Sequence, residues 1–177
     1  PIDSNGNYAA GTTNVWSTIS VDHQRNLVIV PTGNTSPDYF GGQRNANQDF
    51  YSSSVVALDG DTGKVVWHYQ TVHHDIWDYD APNPVVLFDL DYDGVEQKGL
   101  AQAGKTGWVY ILDRVTGEPL VGIEERPVPQ EPRQATAATQ PFPVGDPFVT
   151  QTIDIPPEGF DLTNEGMIFT PFWDEPV

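Results

Sequence analysis

Cysteine is absent from this 177-residue chain and cations are scarce, with 8 Lys plus Arg against 25 Asp plus Glu and a formal net charge of −17. Without thiols there is neither a disulfide framework nor a thiolate metal site. The absence leaves the compartment open, because an oxidising environment permits disulfides without requiring them. The acidic surface repels phosphate backbones and anionic headgroups, and the scattered cations form no basic patch, so nucleic acid is excluded as a partner. Also missing are heptads, amphipathic-helix periodicity, low-complexity sequence and any apolar run long enough to span a bilayer. Residues 1–7 carry neither the basic flank nor the apolar stretch of a leader.

What is present is strand and turn chemistry. Residues 52–58 end in a β-branched and aliphatic run, Asp59-Gly60-Asp61-Thr62-Gly63 supplies a tight turn, and residues 64–69 make a second strand, which together predict a β-hairpin. The hairpin contains the string ALDGDTGKVVW, an Ala-x-Asp-x-x-Thr-Gly-x-x-x-Trp pattern over Ala57, Asp59, Thr62, Gly63 and Trp67. The pattern recurs 54 residues further on, with Asp113, Thr116 and Gly117 repeating Asp59, Thr62 and Gly63, and Val121 in place of the tryptophan. A degenerate third copy is expected at residues 18–31, again as strand, turn, strand. Repeats of roughly 40–50 residues built from several strands point to a β-propeller, one repeat to a blade.

The string resembles the tryptophan-docking motif of quinoprotein dehydrogenases, eight-bladed propellers that hold pyrroloquinoline quinone on their axis. VWSTISVDHQRNLVIVPTGNTSPDYFGG, YQTVHHDIWDYDAPNPVVLFDL and QAGKTGWVYILDRVTGEPL follow one another in family-like spacing, so the resemblance covers residues 11–121. EERPVPQ, TQPFPVGDP and GMIFTPFW favour, more weakly, the membrane-bound glucose, quinate and shikimate branch. The implied fold is all-β: a partial eight-bladed propeller of about three blades. Because a ring must close to bury its strand edges, residues 1–177 are expected to be a piece of a propeller domain. Residues 11–121 are its strand-rich blades. Residues 122–159 form a Pro-rich excursion, since nine of the sixteen prolines fall between Pro119 and Pro157 and such sequence cannot be central strand. Residues 160–177 would begin the next blade.

The densest chemistry is HHDIWDYD at residues 73–80, with three carboxylates, two imidazoles and an indole. Asp78 matches the family's proposed base, which removes the hydroxyl proton as hydride leaves for the quinone; an arbitrary Asp there would simply cap a turn. Asn34, in Pro31-Thr32-Gly33-Asn34, matches a metal-ligating and cofactor-contacting asparagine, although Gly-Asn is also an ordinary turn. Asp80 falls on the same face as Asp78 if the segment is extended and would add a second carboxylate to a metal shell of Asn34, Asp78 and Asp80. The resemblance implies calcium or magnesium, with a lanthanide as the alternative that the Asp-Tyr-Asp spacing suggests. Trp16 precedes Asn34 by eighteen residues, like the tryptophan that forms the floor under the quinone rings. Lys105 aligns with a lysine that donates to the quinone oxygens, and its alternative is a solvated hairpin lysine.

Two further signals carry less. His73-His74-Asp75 suggests a transition-metal site, but neighbours on a strand face opposite sides and no third ligand motif is evident, so at most one imidazole is expected in the substrate pocket. Asp89-Leu90-Asp91-Tyr92-Asp93-Gly94 opens like a calcium loop yet lacks the closing glutamate, and a hairpin turn explains it. Trp67, Trp77 and Trp108 are expected to be structural.

The implied function is oxidation of a sugar, polyol or alcohol by hydride transfer to pyrroloquinoline quinone, with a quinone or cytochrome as electron acceptor. By resemblance its compartment is the periplasm, its parent tied to the inner membrane by a segment absent here. The isolated chain is expected to be inactive and to self-associate through open blade flanks. The alternative is a non-enzymatic propeller acting as a protein-binding platform.

Overall fold

In the computed structural model, Gly11 and residues 13–149 are described. Residues 1–7, the GMIFTPFW string and the expected start of a next blade at 160–177 lie outside the described residues. The element order is β1 (Ser20–Asp22), β2 (Leu27–Pro31), a short helix α1 (Ala46–Asp49), β3 (Ser54–Asp59), β4 (Val65–Gln70), β5 (Val86–Tyr92), β6 (Val95–Ala103), β7 (Val109–Asp113), β8 (Ile123–Pro127) and β9 (Thr139–Pro143). These strands make three antiparallel sheets, ordered β1-β2-β3-β4, β5-β6-β7 and β8-β9. The all-β, partial-propeller reading is what the chain adopts.

The docking strings fold as their residues dictate. In the β3–β4 turn the Asp59 carboxylate accepts from the Thr62 amide at 2.8 Å and its hydroxyl at 2.6 Å, and Gly63 takes φ +66°, a conformation that L side chains rarely adopt. The second copy repeats this chemistry: Asp113 accepts from the Val115 and Thr116 amides at 2.7 and 2.9 Å, and Gly117 takes φ +79°. The strand-turn-strand at residues 18–31 is not a separate blade. β2 pairs along its full length with β3, from Leu27↔Asp59 to Pro31↔Val55, so β1 and β2 are half of the blade that β3 and β4 complete.

In the second blade the fourth strand shrinks to a bridge between Leu112 and Pro119, flanked by bonds from the Asp113 amide to the Glu118 carbonyl at 2.7 Å and from the Leu120 amide to the Ile111 carbonyl at 2.9 Å, so the proline sits where no ladder N–H is needed. The described part of the proline-dense stretch, residues 122–149, is more ordered than its composition suggests, with β8 and β9 paired inside it. Pro127, Pro141 and Pro143 share one parity of that register, so the ladder bonds run through the residues between them.

Packing between the blades explains the motif's tryptophan. Trp67, at the end of the first copy, is buried and donates its indole N–H to the Arg114 carbonyl at 3.2 Å. It lies flat on the glycine of the second copy: a methyl on Gly117 would come 2.7 Å from Trp67 Cε3. The first copy thus supplies the tryptophan and the second copy the glycine on which it rests. Trp67 also joins Leu27, Ile29, Val55, Leu100 and Leu112 in the core shared by the first two sheets. Trp108 packs edge-on against Phe142, centroids 6.2 Å apart, in the smaller core between the second and third sheets.

Candidate active site

β2 ends, β3 begins and β4 ends at one edge of the first blade, so the connections after β2 and after β4 lie together. The organising residue there is Asp75, which the sequence offered only as part of a His73-His74-Asp75 metal motif and not as a backbone anchor. It is fully buried, and its carboxylate accepts from the Trp77 amide at 2.9 Å, the Tyr79 amide at 2.9 Å, the Asp80 amide at 3.2 Å and the Ser53 hydroxyl at 2.7 Å. Burial pushes the Asp75 carboxyl up, and the Ser53 hydroxyl and the three amides oppose that push. Around this hub His74, Asp78 and Asp80 take left-handed backbone conformations, with φ +45°, +58° and +49°. The segment is not extended, so side-chain alternation does not apply to it. The signal available in sequence was a short polar chain followed at once by residues needing amide acceptors, the pattern of an Asx turn.

The hub aims Asp78 and Asp80 at one cation. Lys105 Nζ lies 2.6 Å from Asp80 Oδ2, 3.6 Å from Asp78 Oδ2 and 2.6 Å from the Asp78 carbonyl. Asp80 is buried, and its other oxygen accepts from the Asn34 amide at 2.5 Å. Burial, then the negative charge of Asp80, raises the Asp78 carboxyl above its ordinary range, with Lys105 opposing. Lys105 is itself raised, because its bond to Asp80 and the two carboxylate charges outweigh its partial burial. Trp16 belongs to the same cluster. Gly33 is bare enough that a methyl on it would meet Trp16 Nε1 at 2.9 Å and Asp80 Oδ1 at 3.1 Å, so the indole edge and the carboxylate are neighbours. The indole is 57% exposed, leaving a flat face free.

The profile of the family described as "Glucose/ethanol/alcohol dehydrogenase, beta-propeller domain", the PQQ family, matches residues 2–166. The chain belongs to this family. The glycerol dehydrogenase large subunit of Gluconobacter thailandicus is 41% identical over 147 residues, covering 81% of this chain and 20% of the relative. The quinoprotein glucose dehydrogenase of Gluconobacter oxydans is 41% identical over 145 residues, covering 80% of this chain and 18% of the relative. Among solved structures, the quinohemoprotein alcohol dehydrogenase of Comamonas testosteroni superposes with a TM-score of 0.59 at 33% identity, covering 76% of this chain and 20% of that one. The chain therefore spans about a fifth of the length of the relatives it matches.

For a PQQ-family site the donor set fits in part. The exposed Trp16 face and the adjacent Lys105 ammonium suit a flat, anionic quinone. Asp78 and Asp80 already converge on one positive charge, as ligands of a hard cation do. Asn34 departs from the sequence expectation. Its amide oxygen accepts from the Thr35 amide at 2.8 Å, Arg44 Nη1 at 3.0 Å and the Ser52 hydroxyl at 3.0 Å, which leaves no lone pair for a metal. Its nitrogen donates to the Asp75 and Asp38 carbonyls at 3.1 and 3.2 Å, so the residue acts here as a brace whose backbone amide holds Asp80. Among the described residues no three acidic or histidine side chains gather as a metal cluster.

The histidine pair also departs from expectation. Because His74 is left-handed rather than extended, both imidazoles line one cavity, whose walls include neither Asp78 nor Lys105. The Asp89 segment is the hairpin it was expected to be: Asp93 and Gly94 take φ +55° and +75° at the β5–β6 turn, and Asp89 is held by Lys98 at 2.9 Å and Arg114 at 2.7 Å.

Two tests follow from this geometry. Asp75→Asn replaces one acceptor oxygen by a donor facing backbone amides or Ser53, and should destabilise the protein by about 1–3 kcal/mol. An unchanged urea midpoint would remove the hub role. The second concerns protons. A native carboxyl raised above its unfolded value contributes stability below the ordinary carboxylate pKa and loses it as pH rises through the raised value. In metal-free protein Asp80→Asn should lower the Asp78 titration and Lys105→Gln should raise it, followed by carboxyl-carbon NMR. Opposite signs would mean that these neighbours do not set the Asp78 charge.

Proposed function

We propose that the chain is part of a quinoprotein dehydrogenase that oxidises a sugar, polyol or simple alcohol, of the glucose/quinate type. The observation that supports this reading best is the convergence of Asp78, Asp80, Lys105 and Trp16 on one side of Gly33, on a blade scaffold of the PQQ family. When bound, the quinone supplies the hydride acceptor and a divalent metal supplies a Lewis acid; calcium or magnesium suits the two carboxylates, with a lanthanide as the alternative.

Asp78 takes the hydroxyl proton of the substrate at its carboxylate. Partial burial beside Asp80 raises its proton affinity, which suits a base. Lys105 supplies fixed positive charge where negative charge develops on the acceptor. Trp16 offers its free indole face to the quinone rings, and Asp75 keeps the loop from drifting. Asp78 and Asp80 would hold the metal. Asn34 would reach it with its side-chain oxygen only by releasing Arg44 and Ser52. The compartment we propose is the periplasm, and the electron acceptor a quinone or cytochrome.

The deciding experiment is reconstitution of the full-length protein with pyrroloquinoline quinone and calcium, assayed by dye reduction on glucose, quinate, glycerol and ethanol. Turnover on at least one substrate is expected. No turnover on any would overturn the reading and favour a protein-binding platform.

A further inference from the structure

The cavity beside the histidine pair measures about 650 Å³, within the range of small-molecule sites. Its walls come from α1, the end of β4, the loop at residues 73–74 and β8, through Asp49, Phe50, Gln70, His73, His74 and Glu125 among others. Trp16, Asp78, Asp80 and Lys105 are not among them. We propose that this cavity binds a neutral, polyhydroxylated ring compound, a sugar or sugar-like polyol, at a site separate from the Asp78–Lys105 cluster.

Each charged group of the lining already faces a polar partner. Asp49 holds His74 Nδ1 at 2.6 Å and faces Arg44 Nη1 at 3.4 Å, while Glu125 holds His73 Nε2 at 3.0 Å. Arg44 Nη1 also donates to Asn34 Oδ1 and the Thr35 carbonyl, while its Nε and Nη2 stay buried without a hydrogen-bond partner among the described residues. An anion entering here would meet two carboxylates and a cation would meet a guanidinium, so net charge on the ligand is disfavoured. What the lining keeps in surplus is hydrogen-bonding capacity of both kinds: Asp49 Oδ1 can still accept, and Arg44 Nε and Nη2 can still donate. A ligand rich in hydroxyls, each able to donate and to accept, uses both.

Orientation comes from the rings and the fixed polar groups. Phe50 is 55% exposed and packs against His68 and Tyr51 with centroids 4.6 and 4.8 Å away. Such a supported aromatic face matches the C–H face of a sugar ring. Gln70 donates to the Asp49 and Ser52 carbonyls at 2.8 and 3.0 Å, and its oxygen meets His73 Nδ1 at 2.7 Å. His73 is thereby fixed between Gln70 and Glu125, so the polar wall is organised before any ligand arrives. The cavity adjoins the Asp78–Lys105 cluster through the bond between Arg44 and Asn34, 3.0 Å long. A role in gathering substrate rests on the dehydrogenase reading, whereas the binding itself does not.

The experiment is a saturation-transfer NMR titration of the cofactor-free, full-length protein with D-glucose and, separately, D-gluconate. Phe50→Ala and Glu125→Gln should each weaken glucose binding by about tenfold or more, while Asp78→Asn leaves it within about twofold and gluconate binds more weakly than glucose. Both cavity residues are largely exposed, and an unfolding midpoint for each variant confirms that the fold is kept. Parental glucose affinity in either cavity variant, gluconate binding as tightly as glucose, or no saturable glucose binding would each overturn the inference. Turnover with unaltered cavity variants would sink the cavity alone. Cavity binding without turnover on any substrate would sink the dehydrogenase alone.

Discussion

Asp78→Asn in the full-length, quinone-loaded protein is expected to lower kcat by about 10²–10⁴-fold while leaving KM within a few-fold. The amide keeps the size of the side chain and removes its ability to accept a proton. Lys105→Ala is expected to act on kcat as well, because the attraction it offers grows as negative charge accumulates on the acceptor. The two effects should not add. Lys105 touches both Asp78 and Asp80, at 3.6 and 2.6 Å, so its loss also leaves the carboxylates without their counter-ion. Steady-state dye-linked kinetics on both single variants and the double variant measure this. Near-parental turnover in Asp78→Asn with quinone bound would show that another group takes the proton.

The second large effect belongs to the scaffold. Trp67→Ala removes a buried indole from the core between the first two sheets together with its bond to Arg114, and should cost about 3–5 kcal/mol in urea unfolding. Gly117→Ala should also destabilise, for two separable reasons. Its φ of +79° is strained for alanine, at about 1–2 kcal/mol, and the new methyl would strike the Trp67 ring. Gly94→Ala is the matched control, with φ +75° and nothing within 4 Å of the added methyl. If Gly117→Ala cost no more than Gly94→Ala, the glycine would be needed for its turn alone and not as the tryptophan's seat.

Much of this was legible in sequence because the governing interactions are local. The motif turns rest on a carboxylate bonding amides two and three residues on and on a glycine in a left-handed conformation, all inside one short string. The hairpin at Asp93-Gly94 is of the same kind. The strand-turn-strand at residues 18–31 was recognised as a unit, but its assignment to the first blade depends on β2 pairing with β3 across residues 32–53. Nothing within residues 18–31 encodes that partner.

The site divides along the same line. Asp78, Asp80, Lys105, Trp16 and Asn34 were singled out through the resemblance of their motifs to the quinoprotein family, and the fold brings the first four to one cluster around Gly33. The orientation of Asn34 could not be foreseen, because it is set by Arg44 and Ser52, respectively ten and eighteen residues away in the chain. The shared cavity of His73 and His74 was hidden for a related reason. Strand alternation predicts opposite faces, but Asp75 draws the backbone into a compact loop in which alternation has no meaning.

By itself, then, the sequence determined the residue types, the turns and the class of sheet, since these follow from bonds and dihedral preferences spanning a few residues. Only the tertiary structure decided which strands share a blade, which oxygen of which side chain faces the cation, and where the open cavity lies. Those depend on buried polar groups finding partners far along the chain, and each must be satisfied once water is excluded.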